Sequence, residues 1–155
     1  MRDAKCSIAS TYVMIGRLEE ALVIQREAYA SMMKLQKRHT RESLVLLFNL
    51  SNTLLKMRKV AEAAKVLHDE DAVRATESAF GSEDIFTLTL SGAYATAVLE
   101  SPDATRDDMK EAMEISERCY RTMCRVSGTS HPRTLEAKSE LQRLRLSLAM
   151  RGLLI

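Results

Sequence analysis

Gly81-Ser82-Glu83-Asp84-Ile85-Phe86-Thr87-Leu88 lies over Gly128-Thr129-Ser130-His131-Pro132-Arg133-Thr134-Leu135 position by position. Ser43-Leu44 opens a third stretch in the same way, and all three lead into runs with helical apolar spacing. Self-similarity at a few tens of residues is the mark of a solenoid, in which no unit buries its apolar face alone and each stacks on its neighbours. Within the linker, glycine suits the left-handed conformation that closes a helix, threonine is expected to start the next, and Pro132 suits a first helical turn.

Working outward, Leu18-Glu19-Glu20-Ala21-Leu22 aligns with Val60-Ala61-Glu62-Ala63-Ala64, which places Ile8, Ala9 and Tyr12 over Leu50, Ser51 and Leu54 and Gly16 over Arg58. The third unit offers Tyr94, Ala95 and Val98. Each first helix thus carries a large, small, large triplet, and the small member lets two helices cross at short distance. The second helices show Leu18, Ala21, Leu22, Ala28, Tyr29 and Met32, then Met109, Ala112, Met113, Tyr120 and Met123, both with a period near 3.6. The middle one loses its apolar register at His68-Asp69-Glu70-Asp71, which predicts a kink or a frayed, solvated turn. A longer inner turn, Ser101-Pro102-Asp103-Ala104-Thr105, precedes the third second helix; Thr105 or Ser101 is expected to cap it, with Asp107 and Asp108 favoured in its first turn.

These patterns predict seven helices, at about 3–15, 18–37, 42–57, 60–79, 85–100, 105–126 and 132–150. The expected architecture is all-α: one domain over 1–155, with repeats at about 2–41, 42–84 and 85–130 and a capping helix at about 132–150. That last helix shows Leu135, Leu141, Leu144 and Leu148 on one side, and Glu136, Glu140, Arg143 and Arg151 elsewhere, as a terminal cap requires.

Composition narrows the function classes. With 23 basic and 21 acidic residues mixed along the chain, no one-sign field steers nucleic acid to it. The basic cluster Lys34, Lys37, Arg38 and Arg41 lacks interleaved aromatic residues and reads as a solvated helix end. No signal core and no window approaching the roughly 18 apolar residues of a membrane span is present, so no membrane partner and a cytoplasmic location are expected. Cys6, Cys119 and Cys124 lack CxxC spacing and read as reduced thiols, the last two as small hydrophobes of the core. His39, His68 and His131 have no companion at i+4, and phosphate loops, dinucleotide fingerprints and nucleophile elbows are missing. No metal, cofactor, small-molecule substrate or catalytic residue is expected. Methionines such as Met14, Met32, Met33, Met57, Met109, Met113 and Met123 read mainly as core filling.

The triplet, the Glu-Ala after each inner turn and the Gly-x-x-His-Pro-x-Thr-Leu linker resemble the tetratricopeptide repeats of kinesin light chains, over nearly the whole chain. The enlarged Ser101 to Asp108 turn looks like a variant found in algal kinesin-light-chain-like proteins. The resemblance implies a right-handed superhelix of helix pairs whose first helices line a concave, peptide-binding groove. Carried onto this chain, Asn49 in Asn49-Leu50-Ser51 matches an asparagine that holds a ligand backbone, and Asn52 lies one turn further on the same face. A side-chain amide offers donor and acceptor together and can pair with a peptide group. Phe48, Val45 and Leu55 would supply apolar floor and Lys56 the rim, completed by Ser7, Ser10, Val13, Met14, Thr89, Ala93 and Thr96.

Departures from the family pattern bear on function. The linker Lys37 to Glu42 lacks Gly and Pro, which predicts a nearly continuous helix or an irregular turn, and Arg58 replaces the usual inner-turn glycine. No coiled-coil heptad precedes the repeats, the segment that attaches kinesin light chains to the motor. A chaperone-type carboxylate clamp is excluded, because its five positions hold Cys6, Ser10, Asn49, Thr89 and Ala93, and without cations a buried carboxylate is uncompensated. The expectation is a non-catalytic adaptor or scaffold module that binds a protein or peptide partner at about micromolar affinity. The abrupt start at Met1 and the apolar Gly152-Leu153-Leu154-Ile155 end support an alternative, a structural or regulatory repeat segment of a longer protein.

Overall fold

A computed structural model describes residues 2–35, 37–69 and 71–153, with the side chains of residues 2–6 set aside. Among the described residues there are eight helices and no strand: α1 Arg2–Met14, α2 Leu18–Lys34, α3 Arg41–Lys56, α4 Val60–Asp69, α5 Ala72–Phe80, α6 Ile85–Glu100, α7 Arg106–Ser127 and α8 Pro132–Met150. They form the hairpins α1–α2, α3–α4/α5 and α6–α7, followed by α8. Helix α6, which carries no charge before Glu100, packs against α3, α4, α5, α7 and α8. An all-round apolar helix is stable only when neighbours enclose it.

The eighth helix comes from a break in the expected fourth. Asp71 takes the left-handed conformation, φ 46°, between α4 and α5, so the polar run that spoils the apolar register also ends the helix there. Glu70 lies outside the described residues.

The two aligned linkers are alike in structure as well. Gly81 and Gly128 hold φ 100° and 87°, where an L side chain is strained. Threonine does not start the helices that follow. Asp84 and His131 do, accepting the backbone N–H of Phe86 at 2.8 Å and of Arg133 at 3.2 Å. Thr87 and Thr134 sit three residues further on, buried, each donating its hydroxyl to a carbonyl 11 residues back, Thr76 at 3.4 Å and Met123 at 3.5 Å. The Lys37 to Glu42 linker is a turn rather than continuous helix. His39 has φ 59°, and Thr40 caps α3 by accepting the Ser43 N–H at 3.2 Å. Arg58 adopts φ 61° where its counterpart Gly16 has 81°, so the inner-turn conformation persists without glycine. Thr105, not Ser101, caps α7, in a reciprocal box with Asp108.

Packing follows the triplets. Ala9, Ser51 and Ala95, the small members, are at most 3 % exposed. Leu22, Leu50, Leu54, Ala63 and Ala97 form one cluster drawn from α2, α3, α4 and α6, and hence from all three hairpins. Leu141, Leu144 and Leu148 seat α8 against α6 and α7, but Leu135 is exposed, because it lies on the opposite side of the helix from Leu144. Met14 is also exposed rather than core.

Candidate functional site

The first-helix register that pairs Ser43, Thr87 and Thr134 makes three rows of equivalent positions: Val45, Thr89 and Glu136; Asn49, Ala93 and Glu140; Asn52, Thr96 and Arg143. Seven of these nine positions, all but Val45 and Asn49, line a groove of 430 Å³ between α3, α6 and α8. Its wall holds Asn52, Leu55 and Lys56 from α3 and Thr89, Ala93 and Thr96 from α6, with Ser116, Cys119 and Met123 of α7 beneath. Burial pushes the Cys119 thiol up to about 11, so it stays protonated and packs as an apolar group.

The other proposed residues lie elsewhere. Asn49 is half-buried and Val45 exposed, one and two turns before Asn52 on the same stripe but outside the groove wall. Phe48 packs into the core, edge-on to Phe86 with ring centroids 5.2 Å apart. Ser7, Ser10, Val13 and Met14 sit on α1, which packs on α2, and none reaches this groove.

Two features of the groove escaped the sequence. The first is its charged end. Glu140 and Arg143 stand at the positions of the two asparagines, not on an outer polar face. Arg143 donates to Glu140 at 2.5 and 3.0 Å and to Glu100, Thr96 donates to Glu140 at 3.0 Å, and Arg58 stands 3.8 Å from Glu100. The network ties the second hairpin's inner turn to α6 and α8. Burial alone would push the Glu140 carboxyl up, but the hydrogen bonds and charge of Arg143, with the Thr96 hydroxyl, outweigh it and hold the group below its ordinary range. A carboxyl whose folded pKa is depressed adds stability above its unfolded value and loses it as pH falls through the folded one. Glu140→Gln is therefore expected to flatten the loss of stability between about pH 5 and about pH 3, read by urea titration at each pH. An unchanged pH slope would show the network to be inert.

The second feature is Gly92. It lines the groove in mid-α6, and nothing lies within 4 Å of where its Cβ would be. A helix-interior glycine destabilises relative to alanine by about 1 kcal/mol, and no neighbour here requires the missing side chain.

A larger cleft, 940 Å³, opens between α5 and α7 where the helix break separates α4 from α5. Its walls hold five carboxylates, Asp71, Glu77, Asp108, Glu111 and Glu114, against three guanidiniums, Arg74, Arg118 and Arg121, with Glu77 and Arg118 3.5 Å apart. It carries none of the repeat-equivalent positions that line the groove.

No family model and no curated protein matches the chain. Among solved structures, the TPR-like repeats of a Podosopora anserina protein described as a kinesin light chain superpose with a TM-score of 0.72, at 20 % identity, over 97 % of this chain and 68 % of that one. A singly substituted form of the same repeats gives 0.75 at the same identity and coverage. The fold is a tetratricopeptide-like solenoid. At 20 % identity the likeness speaks for the fold alone.

Proposed function

We propose that the chain is a non-catalytic protein-interaction module whose solenoid holds an extended segment of a partner protein in the α3–α6–α8 groove, in an adaptor or scaffold role in the cytoplasm. In this reading residues 1–155 are one repeat domain, with units at about 2–41, 42–84 and 85–130 and α8, about 132–150, as the capping helix. The groove itself carries the proposal. It brings repeat-equivalent polar positions, Asn52, Thr96 and Arg143, into line over an apolar floor, and a row of amides and hydroxyls suits the regularly spaced groups of an extended backbone. Gly92 supports the same reading, since a glycine the fold does not need lets a ligand backbone approach α6 closely.

Gly92→Ala separates the two roles. It is expected to raise stability by about 1 kcal/mol while weakening peptides selected by display on the wild-type protein about tenfold. A stabilised variant with unchanged peptide affinity would remove Gly92 from the site, and failure of display to return any saturable peptide would remove the function.

A further inference from the structure

The 940 Å³ cleft does not end at the helix break. A second cavity of 520 Å³ lies between α4, α6 and the turn that leads into α7, and His68, Tyr94 and Asp108 line both. Together they make one trough, walled by α4 and α5 on one side and α7 on the other, with α6 at its base. Helix α7 lines it from Asp108 to Arg121, about 20 Å of helix. Apolar lining comes from Ala64 and Val98 in one half, Val73 and Ile115 in the other, and the Tyr94 ring where the halves meet.

Charge decides what fits. Elsewhere arginine and carboxylate pair across neighbouring helices: Arg26 of α2 with Glu62 of α4, Glu77 of α5 with Arg118 of α7 at 3.5 Å, and Glu117 of α7 with Arg145 of α8 at 2.6 Å. In the trough, Asp71 stands 3.9 Å from Arg74 and Asp69 3.8 Å from His68. Besides these paired groups it holds Asp103, Asp108, Glu111 and Glu114 against Lys65 and Arg121, and Arg121 lies about 10 Å beyond Glu114 along α7. Among the described residues neither Glu111 nor Glu114 has an ion-pair partner. Hydrogen bonds from the Thr105 hydroxyl and N–H hold the Asp108 carboxyl below its usual range, so it stays ionised. Burial first, then the charges of Glu111 and Asp108, push the Tyr94 hydroxyl up, so both carboxylates bear on the base of the trough. The whole chain has two more basic than acidic residues, which makes this acidic surface a local feature. We infer that the trough is a second docking surface, separate from the groove, for a basic amphipathic helix of a partner protein. Asp108, Glu111 and Glu114 follow one another at three-residue steps, and cations three or four residues apart on a helix laid alongside would face them. Its apolar side would rest on Tyr94 and the small residues beside it.

The probe is a fluorescein-labelled peptide of about 14 residues, about 20 Å long as a helix, built of alanine, leucine and lysine with the lysines on one face. Anisotropy is expected to show saturable binding that Glu111→Gln and Glu114→Gln each weaken about threefold and that added salt weakens further. Glu19→Gln, the same charge change on α2, and Asn52→Ala in the groove are expected to leave it unchanged. Both α7 positions are exposed and glutamine is as good a helix former as glutamate, so circular dichroism should match the wild type. The inference is overturned by absence of saturation up to about 1 mM, by wild-type affinity in both α7 variants, or by an equal loss in Glu19→Gln or Asn52→Ala. Equal binding of the same peptide with glutamate in place of lysine would overturn it too. So would a dimer in sedimentation that Glu111→Gln/Glu114→Gln dissociates, since a second copy would then fill the trough.

Discussion

Replacing Leu54 by Ala is expected to cost about 3 kcal/mol of stability and to lower the melting temperature by about 10 °C. Leu54 is fully buried, and its cluster with Leu22, Leu50, Ala63 and Ala97 draws on all three hairpins. Deleting its branched end removes transfer free energy and leaves a cavity that rigid helices on several sides relax only partly to fill. In a stacked array, stability is roughly the sum of weak units and the interfaces between them, so a shared residue should matter more than one inside a hairpin. Urea unfolding followed by helical circular dichroism measures the loss. A cost under about 1 kcal/mol would mean that the hairpins do not depend on this contact.

Ser51→Leu should be comparably damaging, at about 3 kcal/mol, while Ser51→Ala should stay within about 1 kcal/mol of the wild type. Ser51 is fully buried at the small position of its triplet, and its hydroxyl bonds the Phe48 carbonyl one turn back, at 2.9 Å. Alanine keeps the close helix crossing and gives up one local hydrogen bond. Leucine brings three further carbons into a closed contact and forces α3 away from its neighbours. Thermal melts of the two variants side by side would test this. Equal melting temperatures would contradict the account of how the first helices pack, since it makes size rather than polarity the requirement at that position.

Much of this architecture is legible in the residues, for identifiable reasons. The linker register is visible because turn chemistry is local: the glycines at 81 and 128 act within a few residues of themselves, although the caps, expected at threonine, fall three residues earlier at Asp84 and His131. The break after α4 is visible because four polar residues interrupt a 3.6-residue period. Arg58 could be placed in a left-handed turn because it aligns with Gly16, although arginine itself gives no such sign. What stayed hidden is non-local. Glu140 and Arg143 look like solvated charges on an amphipathic helix, and only their meeting with Thr96 and Glu100, more than 40 residues earlier, turns them into the end wall of the groove. Leu135 reads as core by its type and sits outside by helical phase. Gly92 carried a usable signal, an isolated glycine inside a helical pattern, which costs about 1 kcal/mol against alanine.

Backbone amide mapping by nuclear magnetic resonance, with a display-selected peptide titrated into the labelled protein, would show where the peptide docks. Shifts are expected to concentrate on Asn52, Thr89, Gly92, Ala93 and Thr96 and to extend to Glu140 and Arg143. Shifts confined to the α5–α7 cleft, with those groove residues unmoved, would contradict peptide binding in the groove.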